Sequence, residues 1–162
     1  MKTLILYYSY GGNTKKVAEM IQKEIGGDME EIHTVKPYIG SYNSVVEQGK
    51  REVDSGFMPE IKAIQSDLSN YDKVILGTPV WWYTFAPAMK TFLAQYSLSG
   101  KEVYPYATNG GWIGHTFGDV KVACKDADVK KGLNIVFDGN SMRTSEEEIK
   151  SWILYQKKVK ND

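Results

Sequence analysis

A short apolar block, Leu4-Ile5-Leu6-Tyr7-Tyr8, stops at Ser9-Tyr10-Gly11-Gly12-Asn13-Thr14, and beyond it Val17, Met20, Ile21 and Ile25 recur at three-to-four-residue spacing. The block is rich in branched and aromatic residues and reads as a strand; the periodic stretch reads as an amphipathic helix. A helix N-terminus leaves backbone N–H groups unpaired and carries partial positive charge, so a hydroxyl- and glycine-rich turn in front of one suits a phosphate group. Gly11 and Gly12 let the backbone close around such an anion, and Ser9 and Thr14 can donate hydroxyl hydrogen bonds to it. The same residues also make a helix-capping turn with no ligand, so the motif needs support from the rest of the chain.

Further short apolar runs alternate with helical patterns. Glu30 to Val35, Lys73 to Thr78, Glu102 to Thr108 and Leu133 to Phe137 read as strands. Phe85, Ala88, Met89, Phe92, Leu93 and Tyr96 form an apolar helix face; so do Phe117, Val120 and Cys124, and finally Ile149, Trp152 and Ile153. This alternation predicts an α/β domain over residues 1–162, a parallel sheet with helices on both faces joined by right-handed crossovers. Two segments fit less easily. Residues 37–56 are long for a connection, with Val45, Val46, Gly49 and Val53 hinting at a helix inside, and Pro105 falls within a central strand, where a bulge or late start is expected.

Bulk properties narrow the function classes. Twenty basic and twenty acidic residues cancel, which leaves no general electrostatic footprint for nucleic acid or an anionic membrane. The lone Cys124 has no partner for an internal disulfide, and the N-terminal apolar run of about five residues is too short for a secretory h-region, which points to the cytoplasm. The weakly polar stretch from Val74 to Met89 is broken by Gly77, Pro79 and Pro87 and is shorter than the ~20 residues that span a bilayer.

In an open sheet of this type ligands bind beyond the carboxyl ends of the strands, where strand order reverses. Three such ends carry chemistry: Ser9 to Thr14, then Gly77-Thr78-Pro79-Val80-Trp81-Trp82-Tyr83, then Thr108-Asn109-Gly110-Gly111-Trp112. The first offers a phosphate cradle, the second three consecutive aromatics that cannot all face the core from a loop, the third glycines and backbone donors. Other tenants of this architecture lack their residues here. No aspartate stands at these strand ends to accept a phosphoryl group, no cysteine lies in the first loop, and neither Gly-Lys-Ser/Thr nor Gly-x-Ser-x-Gly occurs.

Ser9-Tyr10-Gly11-Gly12-Asn13-Thr14, Gly77-Thr78-Pro79-Val80-Trp81-Trp82 and Ala107-Thr108-Asn109-Gly110-Gly111 followed by Gly114, in that order, resemble the flavodoxin-like family over nearly the whole chain, and in particular its compact bacterial members with a double tryptophan after the third strand. The resemblance implies a three-layer doubly wound sandwich around a five-stranded parallel sheet in the order 2-1-3-4-5. It implies FMN as cofactor, with Ser9, Tyr10, Gly11, Gly12, Asn13 and Thr14 at the 5′-phosphate. Pro79, Val80, Trp81, Trp82 and Tyr83 would then flank the isoalloxazine, and Thr108, Asn109, Gly110 and Gly111 would line its other side.

The implied roles are electron transfer to a redox partner protein or a small-molecule acceptor, by a monomer or weak homodimer. An NAD(P)H-dependent quinone or nitro reductase and a non-catalytic FMN-dependent binding module remain alternatives. Two departures stand out. Gly11 replaces the threonine common in flavodoxin phosphate loops, and the chain is neutral where long-chain carriers are acidic, with Glu102 the one acidic residue between Gly77 and Phe117. A flavin there would meet less anionic repulsion on reduction, so its potentials are expected to be less negative than in acidic flavodoxins. No side chain is demanded as a catalyst. His115 reads as a helix cap able to approach the flavin edge, His33 as structural, Cys124 as a small buried hydrophobe, Lys15 and Lys16 as a solvated face, and Glu146-Glu147-Glu148 as dipole-favouring residues opening the last helix.

Overall fold

The computed structural model describes the backbone of residues 2–161 and the side chains of residues 2–156. Five strands form the parallel body of the sheet: β1 (Thr3–Tyr7), β2 (Asp28–Glu31), β3 (Lys73–Trp81), β5 (Glu102–Asn109) and β7 (Leu133–Asp138). They lie in the order β2-β1-β3-β5-β7, which is 2-1-3-4-5 when only these five are counted. Three two-residue strands extend the sheet: β4 (Thr84–Phe85) antiparallel to β3, β6 (Asp128–Val129) parallel to β5, and β8 (Ser141–Met142) antiparallel to β7.

Alternation along the strands divides the interior into two cores. Leu4, Leu6 and Tyr8 point to one face with Val74 and Leu76, where Met89 and Phe92 of α3 (Pro87–Gln95) and Val120 of α4 (Thr116–Ala123) cover them. Ile5, Tyr7, Ile75, Tyr104 and Tyr106 point to the other, under Val17 and Ile21 of α1 (Asn13–Ile25) and Trp152 of α5 (Glu146–Asn161). Every one of these side chains except Tyr7, Tyr8 and Trp152 is fully buried. At roughly 1.5–3 kcal/mol for each large side chain, their burial is the main force holding the three layers together. Among the described residues no helix is long and apolar enough to cross a membrane.

The second strand is earlier and shorter than the pattern suggests, Asp28–Glu31 rather than Glu30 to Val35. Gly26 and Gly27 (φ 72° and 90°) end α1 so sharply that pairing with β1 begins at once, and the chain leaves the sheet after Glu31. His33 is consequently exposed, with its Nδ1 3.7 Å from Glu31. Helix α2 (Tyr42–Ser55) occupies the long connection, N-capped by Ser41, whose side chain accepts from the Ser44 N–H.

Pro105 causes neither a bulge nor a late start: β5 pairs continuously with β3 from Glu102 to Thr108. On its other side β6 pairs only with Glu102 and Val103, and β7 begins pairing at Tyr106. Proline thus falls where the ladder is already interrupted, and no strand hydrogen bond is lost. Phe85, expected on a helix, lies instead in β4, because the chain reverses at Trp82–Tyr83 before entering α3.

Candidate functional site

The carboxyl ends of β1, β3 and β5 converge on one edge of the sheet. After β1, Gly11 and Gly12 adopt φ values of +83° and +95°, which an L side chain rarely tolerates, and a Cβ on either would meet nothing within 4 Å. The turn is a bare concavity opening at the N-terminus of α1. Asn13 and Thr14 precede the first intrahelical bond, which the Lys16 N–H donates to the Gly12 carbonyl, and no acidic residue occupies the first turn. Ser9 Oγ accepts from the Lys15 N–H at 3.2 Å, which leaves its own proton free to donate. Asn13 Nδ2 donates to the Gly139 carbonyl at 2.9 Å and pins the turn to the β7–β8 connection. Thr14 is buried, its hydroxyl 2.7 Å from that of Thr108, so these two face each other rather than open space. Lys15 and Lys16 are exposed.

The second end is a hairpin. Trp81 pairs with Thr84, and the two residues between, Trp82 and Tyr83, both have positive φ (51° and 72°). This is the backbone of a type I′ turn, which usually employs Asn-Gly. Holding two aromatic residues there costs about 1–2 kcal/mol each and persists only where surrounding contacts enforce it.

Those contacts are specific. Trp82 Nε1 donates to the Val46 carbonyl of α2 at 3.0 Å, and Lys50 Nζ stands 5.7 Å above its ring. Trp81 turns inward, edge-on to Tyr38, Tyr10 and Tyr8 at 5.0, 5.9 and 6.1 Å, and a Cβ at Gly49 would come within 3.1 Å of it. Tyr83 rests on Gly114, where a Cβ would fall 2.3 Å from the Tyr83 carbonyl oxygen; that oxygen accepts from the His115 N–H. At the base, Thr78 Oγ1 accepts from the Ala86 N–H and donates to the Pro79 carbonyl. Pro79 and Val80 are themselves strand residues, paired with Thr108 and Phe85.

The third end is shaped by Asn109. Its Oδ1 accepts from the Gly111 N–H at 2.9 Å and its Nδ2 donates to Asn134 Oδ1 at 2.6 Å, folding Gly110 and Gly111 back over the edge of the sheet. Trp112 projects beyond them, 69% exposed, with its ring 6.1 Å from that of Tyr83. Tyr10 and Trp82 are exposed at these strand ends too, and exposed apolar rings of this kind mark a binding site. The arrangement can hold a ligand with an anionic end and a flat apolar end.

Tyr8 and Tyr38 behind Trp81 stay protonated. Burial pushes both phenols well above their ordinary range, and Glu52, which accepts from Tyr38 at 2.5 Å, reinforces the effect. Cys124 is buried under α4 and its thiol is pushed up to about 11 by desolvation alone. Tyr38, Val46 and Gly49, which brace the tryptophans, were not singled out from sequence for that purpose. Their one legible signal is a glycine inside a helix, a position that is otherwise unfavourable and often marks close approach of another group. Asp119 was missed as well; its spacing of four residues from His115 on a helix was the available clue.

A sequence model of the family described as flavodoxin matches residues 2–156. Flavodoxin 1 of Salmonella typhimurium is 30% identical over 81 residues, 50% of this chain, and the match spans about a third of that protein (32%). Among solved structures, a protein of Bacteroides eggerthii assigned as a flavoprotein superimposes with a TM-score of 0.81 at 31% identity, covering 95% of this chain and 96% of its own. A flavoprotein of Lactobacillus acidophilus, solved in complex with FMN, gives 0.74 at 27% identity, with 94% and 98% covered.

Proposed function

The chain belongs to the flavodoxin family, and on that premise we propose that it binds FMN at the convergent strand ends and serves in cytoplasmic electron transfer. The observation that carries this reading is the juxtaposition of a side-chain-free concavity at Gly11 and Gly12, on a helix N-terminus, with the exposed rings of Tyr83 and Trp112. FMN has one dianionic phosphate and one flat ring system, and the two features match its two ends.

In this reading the backbone N–H groups from Gly11 to Thr14 and the Ser9 hydroxyl hold the phosphate. Tyr83 and Trp112 part to flank the ring, while Gly110 and Gly111 bring backbone groups to its edge. Trp81 acts from behind, as the brace that fixes the hairpin to α2, and the Thr14–Thr108 pair aligns the two loops. When bound, FMN supplies one- or two-electron chemistry; the chain orients it, covers it with apolar rings and sets the local charge. Glu102 lies at the start of β5, at the opposite end of the strand from the Asn109 loop, which supports potentials less negative than those of acidic flavodoxins. Potentiometry giving values as negative as theirs would contradict this charge argument. The electron acceptor is a redox protein or a small molecule reaching the aromatic rim, and the working form is a monomer or weak homodimer.

The test is an absorbance spectrum of the protein mixed with FMN and freed of excess ligand, followed by anaerobic NADH and NADPH. A retained flavin spectrum that bleaches only with dithionite is expected for a carrier. Bleaching by either nucleotide would assign a reductase instead, and absence of retained flavin would remove the site assignment.

A further inference from the structure

On the far side of the β3–β4 hairpin lies a cavity of about 370 Å³ between the C-terminal end of α2, β4, the start of α3 and the outer face of α4. Its walls are apolar, with Val53, Phe57, Phe85 and Val122 among them. Its polar equipment is unusual for a surface hollow. A single carboxylate oxygen, Asp119 Oδ2, receives the Thr84 hydroxyl at 2.5 Å and also contacts His115 Nδ1, so three residues from β4, the N-cap of α4 and its first turn form one relay. In the tautomer that donates Nδ1–H to the carboxylate, Nε2 is the ring nitrogen left to accept, on a residue that lines the cavity. Lys90 also lines the cavity and brings an ammonium group, held at 3.3 Å from the Gly56 carbonyl.

We propose that this cavity is a second small-molecule site, which takes an aromatic ligand bearing an acidic hydroxyl, a phenol. The ring fits the apolar walls; pockets of this volume are at the small end of those that bury organic ligands. The hydroxyl donates to His115 Nε2, and the Lys90 ammonium in the same lining favours partial negative charge on its oxygen. The two carboxylates of the lining are already engaged as acceptors, Asp119 by Thr84 and His115, Glu52 by Tyr38 and by Gln48 at 2.8 Å. A carboxylate ligand would meet the His115 lone pair and two like charges, which disfavours that class. None of the lining residues is among those proposed to hold FMN.

The experiment is a fluorine-NMR titration of 4-fluorophenol with the full chain, run with and without FMN. Saturable binding with Kd on the order of a millimolar is expected for so small a ligand. Fluorobenzene, which lacks the hydroxyl, should bind about tenfold more weakly, the usual consequence of one hydrogen bond. Asp119→Asn removes the charged acceptor that favours the proton on Nδ1 and should lower affinity for the phenol about tenfold without changing that for fluorobenzene. Val122→Trp, at a side chain 73% exposed and so tolerant of substitution, should fill the mouth and abolish binding of both. Absence of saturable binding to the wild type, equal affinity for the two probes, or undiminished binding to Val122→Trp would each overturn the proposal. Retention of FMN by both variants separates a failure here from a failure of the flavin site.

Discussion

The glycine turn after β1 and the aromatic hairpin after β3 both place two consecutive residues at positive φ, and they do so by opposite means. Gly11 and Gly12 enter that region without a side chain and leave open space around them. Trp82 and Tyr83 enter it against their own sterics and are surrounded by contacts. A loop that works through backbone N–H groups can relax into its shape, whereas a loop that must display rings is held in shape by its neighbours. The first is robust to changes elsewhere; the second depends on α2 and on Gly114.

The sharpest way to break this contrast is Gly114→Ala. The new Cβ would collide with the backbone of Tyr83, at a glycine whose own φ is +59°, so the hairpin must move. A loss of about 3 kcal/mol or more in urea denaturation is expected, together with loss of flavin retention. Gly12→Ala sits at a comparable φ but meets nothing, so strain alone remains, about 1–2 kcal/mol. Its functional signature should be selective: FMN affinity falls while riboflavin affinity stays, and an equal fall for both would show that the turn does not hold phosphate.

Tyr83→Gly tests the opposite limb. Removing the side chain relieves turn strain of about 1 kcal/mol, so stability should hold or rise slightly while FMN affinity drops about tenfold; a marked loss of stability would mean the turn is not strained. The last effect, a pH dependence, lies outside both loops and vanishes at neutral pH. Because the Cys124 thiol is raised to about 11 from 9.0, the folded state binds the extra proton over that interval. Its contribution to stability is therefore full below pH 9 and lost as pH rises towards 11, and Cys124→Ala should flatten the alkaline limb of a stability–pH curve.

Much of this contrast was visible in the amino-acid order, but unevenly. The Ser9–Thr14 turn was legible because glycines, hydroxyls and a change of apolar period coincide within a few residues. The five parallel strands and their order followed from alternation and resemblance, and Cys124 and Glu146–Glu148 stand where their pattern placed them. The hairpin was not legible. Trp-Trp-Tyr-Thr carries none of the Asn-Gly signal of a type I′ turn, since tertiary contacts rather than local preference impose it. For the same reason Trp81 and Trp82 looked equivalent in sequence yet diverge, one into a cluster of tyrosines and the other onto the Val46 carbonyl. In the Thr84–Asp119–His115 relay the i,i+4 spacing of His115 and Asp119 is a local signal, but Thr84 lies 35 residues from Asp119 and has none.

The Thr14–Thr108 hydroxyl pair has a thermodynamic corollary. Together with the Tyr106 hydroxyl, which reaches the Thr14 carbonyl at 2.9 Å across a strand that Gly77 keeps clear, it fastens the first turn of α1 to the end of β5. If the proposed FMN site is right, the anion cradle and the exposed rings, anchored to one sheet edge, would behave as a bivalent receptor with fixed spacing. A ligand whose two heads match that spacing engages the second at high effective concentration, so riboflavin and inorganic phosphate added together should fall far short of the covalently joined molecule.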